Sequence, residues 1–235
     1  LPNGLRLVTE DMPGLASAAV GVWVGAGGRH ETEAENGVAH FLEHMAFKGT
    51  ETRSALDIAE AIEDVGGYLN AYTSREATAY YARVLGEDVP LALDLIGDIL
   101  VRPRFAEADL ETERGVILQE IGQALDTPDD IVFDWLQEAA YPGQAFGRSI
   151  LGAAERVKAV DAAALRAFVD AHYAPGRIVV AAAGAVDHEA VVRQAEAIFG
   201  GLVARPAPPT PPARFRATER RVEKPLEQAH FTLAL

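Results

Sequence analysis

The residues best placed to do chemistry in this chain are His40-Phe41-Leu42-Glu43-His44. On a helix, residues four apart lie on one face, so His40 and His44 can aim two imidazoles at one point. At about 100° per residue, Glu43 falls roughly 60° to one side of His40. Two nitrogen donors and a carboxylate then share one sector of surface, which is how a zinc ion is held beside a general base. The competing reading is an ordinary amphipathic helix, with Phe41, Leu42 and Met45 turned to a core. Asn36, just upstream, is the expected N-cap, so the motif falls where a helix should begin.

A second pair of residues lies far along the chain. Residues 106–126 read as one long helix whose charges form a solvated face, but Glu113 and Glu120 stand seven apart, two turns on one side. A carboxylate among Ile117, Leu118 and Ile121 costs energy unless it is paired or holds a cation. Spacing alone leaves Glu120 open between a surface charge and a ligand. His30, in an acidic loop with Glu31, Glu33 and Glu35, is expected to be solvated and is left out of the site. The chain has no cysteine, so any metal must be held by histidine and carboxylate.

The elements that must position these groups follow from periodicity. Residues 5–10 and 17–24 read as an opening strand pair joined through Met12-Pro13-Gly14. After the motif helix, Ser54 caps a helix with Leu56, Ile58, Ala59 and Ile62 inward. Residues 68–73 and 77–85 form an expected hairpin, rich in aromatic and β-branched residues. Helices are expected at 88–101, 106–126, 129–140, 153–160, 162–172 and 188–199, with an apolar strand at 177–184. A net charge of −14 argues against a nucleic-acid partner and suits the attraction of basic peptides. No run of 18 apolar residues spans a membrane.

With these residues in hand, the chain resembles the M16 family of zinc metallopeptidases. That is the inverzincin type, which includes the mitochondrial processing peptidases and their bacterial homologues. The resemblance rests on residues 37–45 around the motif and on Phe47-Lys48-Gly49-Thr50. It also rests on Asn70-Ala71-Tyr72-Thr73 with Glu76, on residues 113–120, and on Phe146-Gly147-Arg148. It covers the N-terminal half of such a protein. The resemblance implies an α+β fold, a two-layer, mostly antiparallel mixed sheet with helices on one face. It also implies a third zinc ligand 76 residues after His44, which is Glu120. By the same likeness Glu113 supports activity without binding the metal, and Asn70, Ala71 and Tyr72 belong to an edge strand on which a peptide lies as an added strand.

Together these readings give a zinc endopeptidase for extended peptides or targeting-type presequences. His40, His44 and Glu120 are the Zn2+ ligands, with water at the fourth position and Glu43 as its base. The alternative is a non-catalytic scaffold or peptide-holding subunit of a heterodimer. A lyase that shares the five-residue motif requires cysteine and is set aside. Residues 1–200 are the expected catalytic domain and 201–213 a Pro-rich linker. Residues 214–235 are then strands that complete the sheet or open a second, homologous domain. That second domain, or a partner subunit in a homo- or heterodimer, would supply the rest of the peptide site. The expected compartment is a bacterial cytoplasm, with the periplasm and the mitochondrial matrix left open.

Overall fold

The computed structural model describes residues 1–234. Along Ser17–Val24 (β2), small and branched residues alternate, and Ala18, Val20, Val22 and Val24 are buried. That period of two puts one face of the strand on a core. β2 pairs antiparallel with Thr78–Leu85 (β4), which pairs antiparallel with Tyr68–Thr73 (β3), the expected hairpin. Arg6–Asp11 (β1) does not pair with β2, as the Met12-Pro13-Gly14 turn suggested. Ile178–Gly184 (β5) lies between them, parallel to β1 and antiparallel to β2. The reason lies in composition: β5 is wholly small and apolar and belongs inside a sheet. The turn instead ties Met12 N–H to the Gly184 carbonyl. The order is therefore β1-β5-β2-β4-β3, with β3 at one end.

Helices Val38–Ala46 (α1), Ala55–Glu63 (α2), Val89–Val101 (α3), Glu107–Asp126 (α4) and Pro128–Ala140 (α5) come from the first two thirds of the chain. Ala154–Val157 (α6), Ala162–His172 (α7) and His188–Phe199 (α8) flank β5. α3 packs on β2 and β4, α1 on β3 and α8 on β1, so the helices cover one face of the mixed sheet. The fold is α+β. On the other face Val8, Ala19, Trp23, Ala181 and Ala183 line a shallow surface groove.

Three details differ from the sequence reading. Ser54 caps α2 and forms a capping box with Asp57, but Leu56 points to solvent, at 64% exposure, because α2 buries only Ile58 and Ile62. No strand forms in residues 203–234; residues 216–220 run beside α5 instead. There Arg216 N–H donates to the Ala140 carbonyl and the Thr218 hydroxyl to that of Ala139. Finally, Asn36 does not cap α1. The cap position is Gly37, at φ +100°, where a Cβ would meet Gly152 Cα at 3.0 Å. Asn36 is drawn away to the Ser149 carbonyl and the Ala153 N–H.

The burial pattern generates a paired stability prediction. Leu93→Ala, in the fully buried face of α3, should cost ~2–5 kcal/mol in urea unfolding. Leu56→Ala, by contrast, should cost about 0.5 kcal/mol or less. Equal losses would contradict the packing described.

Candidate metal centre

α1 is nine residues long and carries His40 in its first turn and His44 in its last. Its Phe41, Leu42 and Met45 are buried, which turns both histidines to the opposite, open side. α4 packs against α1, and its Leu110 and Ile117 are fully buried. Ile117 sits between Glu113 and Glu120, so the two turns that separate these carboxylates run past the α1 histidines.

The result is a cluster of three donors. One Nε2 or Nδ1 of each histidine and one oxygen of Glu120 lie within 4.8 Å of one another. Glu120 Oε2 is 3.7 Å from His40 Nε2 and 3.4 Å from His44 Nε2. Donors at the corners of a tetrahedron around a zinc ion about 2.1 Å away stand ~3.4 Å apart, so the spacing fits such an ion. The chemistry of the donors fits too. His44 Nδ1 makes a 2.9 Å hydrogen bond with Glu113 Oε2, an arrangement that places the proton on Nδ1 and frees the Nε2 lone pair. Burial, and then the neighbouring His44, hold the His40 imidazole down to about 4, so it is neutral at pH 7 and keeps a lone pair for a metal. Among the described residues, His40 Nδ1 is buried without a hydrogen-bond partner.

Glu113 is 5% exposed and lies behind the cluster rather than in it. Burial pushes its carboxyl up, but hydrogen bonds from Lys48 and His44 outweigh this and hold it below the usual range. Lys48 Nζ approaches Glu113 Oε1 at 2.7 Å. In the sequence, Lys48 carries only a family match and no role of its own. The segment that follows Lys48 is anchored by Asp98 of α3, 1% exposed. The Asp98 carboxylate accepts from Thr50 Oγ1 at 2.6 Å, Thr52 Oγ1 at 2.7 Å, Arg53 at 3.1 Å and Arg102 at 2.6 Å. No spacing rule links residue 98 to residue 48, and this anchor was not legible in sequence.

Glu43 lies outside the donor cluster, on the same helix. Behind it Tyr80 and Tyr173 share a buried 3.1 Å hydrogen bond between hydroxyls. Burial pushes both phenols up, Tyr173 to about 12, and the Glu43 charge adds to it. The edge strand β3 passes the start of α1, where Thr73 Oγ1 donates to the Ala39 carbonyl at 3.4 Å. Ala71 is buried on the helix side, and its N–H donates to Asn70 Oδ1 at 2.8 Å. Tyr72 is exposed on the other face, where it accepts from Trp23 Nε1 at 3.3 Å. Of the three expected strand residues, then, only Ala71 turns its side chain to the helix side; Asn70 donates to the Tyr68 hydroxyl on the face that Tyr72 shares.

His30 was expected to be solvated, and it is not. It accepts from Gly27 N–H at 3.0 Å and meets His172 edge-on, with ring centroids 5.9 Å apart. Burial, then Arg177 and His172, push it down to about 4.

The family described as Insulinase (Peptidase family M16) matches residues 6–154, and the one described as Peptidase M16 inactive domain matches residues 159–235. The chain belongs to peptidase family M16, a family of zinc proteases. It is 47% identical to an uncharacterized zinc protease of Streptomyces coelicolor, covering all of this chain and 53% of that protein. It is 44% identical to the mitochondrial-processing peptidase subunit beta of Bos taurus, covering all of this chain and 49% of that one. A protease from Helicobacter pylori has the same fold, with a TM-score of 0.83 at 22% identity over 92% of this chain and 52% of that one. The chain spans about half the length of the curated relatives it matches. The second family match begins inside the fold, since β5 and α7 complete the same sheet and core. No helix among the described residues is long and apolar enough to cross a membrane.

The half-buried His30 yields a pH prediction. A folded-state pKa below the unfolded value of 6.5 gives stability that is whole above 6.5 and is lost as pH falls through about 4. Metal-free protein should lose denaturant resistance across that window, and His30→Asn should flatten the fall. An acid limb identical in the variant would contradict the assignment.

Proposed function

We propose that this domain is the zinc-holding half of an endopeptidase acting on extended, unfolded peptides. The observation that carries the reading is the convergence of His40, His44 and Glu120 from two helices within 4.8 Å. His40, His44 and Glu120 would hold the zinc. Bound there, zinc supplies Lewis acidity that makes water a nucleophile near neutral pH and polarises a peptide carbonyl. Glu43, the carboxylate on the motif helix, takes the proton from the attacking water and passes it to the departing amine. Glu113 fixes the His44 tautomer and ring orientation, and Lys48 holds Glu113 charged. Glu113 is thus a positioning residue in this account.

The free edge of β3, at the end of the sheet and beside the start of α1, supports peptide binding as an added strand. Backbone pairing tolerates varied side chains, hence presequence-like or unfolded substrates. Relatives about twice this length support a second homologous domain, or a partner subunit, as the opposite wall of the site. Against a non-catalytic scaffold stands the presence of every donor together with Glu43.

Glu43→Gln in the full-length protein should keep its zinc and cleave a casein peptide about 10²-fold more slowly. Zinc loss in that variant would make Glu43 a ligand and refute the role given it. Glu120→Gln should lose most of the zinc, whereas Glu113→Gln should weaken binding only ~10-fold to 100-fold. Equal loss in both would show the two carboxylates misassigned.

A further inference from the structure

A nine-residue helix leaves the N–H groups of its first turn without partners inside it, and an uncapped end frays. In α1 that first turn holds His40. Gly37 at the cap position has no side chain to offer, and Asn36 is committed to the Ser149 carbonyl and the Ala153 N–H. The partner comes from six residues upstream. Glu31 Oε2 accepts from Gly37 N–H at 3.0 Å, and Glu31 Oε1 accepts from Ala39 N–H at 2.8 Å. Asn36 Nδ2 steadies the same carboxylate at 3.2 Å, and Glu31 is 3% exposed. Its backbone carbonyl accepts from Arg148, in the loop that also receives Asn36. Beyond that loop, Ser149 Oγ donates to Asp134 of α5 at 2.7 Å.

We propose that Glu31 is a positioning residue for the metal centre. Its carboxylate spans both N–H groups and holds the first turn of α1 in the register that brings His40 to His44 and Glu120. The inference rests on the zinc reading above and adds a residue to it. A neutral amide cannot replace the carboxylate. In Glu31→Gln one of the two N–H groups faces an NH2 donor and loses its acceptor.

The test is the zinc affinity of the full chain, by competition with a chromophoric chelator, together with the visible spectrum of the Co2+-loaded chain. Asp187→Ala is the control, since it removes the cap of α8, where Asp187 accepts from Ala190 N–H at 2.7 Å, remote from the histidines. Glu31→Gln should weaken zinc about tenfold or more and alter the cobalt bands. Asp187→Ala should bind as the parent does, although its Tm falls. Parent-like affinity and spectrum in Glu31→Gln would overturn the proposal. So would an equal loss in Asp187→Ala, which would mean that global stability alone sets the affinity. Should Glu31→Gln lack helical circular dichroism, Glu31→Asp is read instead. It keeps the charge but is one methylene too short to span both groups, so a smaller loss is expected and parent-like binding overturns the idea. A parent chain that takes up no zinc overturns the metal reading itself, a result distinct from a parent that binds and a variant that binds equally.

Discussion

Two imidazoles and a carboxylate can share one ion only if two helices keep a fixed register, and that register is set by the packing of α1 on α4. Phe41 and Ile117 are fully buried, and the Arg114 guanidinium lies 5.7 Å over the Phe41 ring. Arg114 in turn donates to the carbonyls of Val157 and Val160, at 2.8 and 2.9 Å. A rotation of α4 by one residue, about 100°, would carry Glu120 out of reach of both histidines. The apolar contacts decide that register, because interiors this dense do not slide continuously. The sheet serves the same end. It gives α3 a flat surface, and through Asp98 α3 fixes the segment that follows Lys48.

The electrostatics of the site work in layers. Nearest the donors, burial keeps His40 neutral, the form with a free lone pair. One layer out, Lys48 and His44 keep Glu113 ionised despite its burial, so the proton between Glu113 and His44 stays on the imidazole side. At the start of α1, burial pushes Glu31 up to about 7 even though backbone N–H groups and Asn36 pull it down. A buried carboxylate with so many donors costs much to desolvate, and such expense is tolerated where it orders a site.

The helix spacing of the motif made its two histidines legible at once, because i and i+4 geometry holds in any fold. Glu120 was visible only as an oddly placed carboxylate, and its partners needed the family likeness or the structure. Strand existence was legible from alternation, but strand order was not. Nothing local shows that β5, which begins 154 residues after β2 ends, inserts between β1 and β2. The same limit hid Glu31 and Asp98. Glu31 caps α1 from outside the usual capping window, and Asp98 holds the 50–53 segment across 45 or more residues. Leu56 misled because a helical period of apolar residues does not say how wide the buried stripe is.

The most direct check on the central claim is Zn K-edge X-ray absorption on the zinc-loaded chain, compared with Glu120→Gln loaded at the same metal excess. The account predicts a sulfur-free site with two imidazole nitrogens and one carboxylate group, the carboxylate component being lost in the variant. A six-coordinate, all-oxygen shell, or a spectrum with no imidazole scattering, would contradict it.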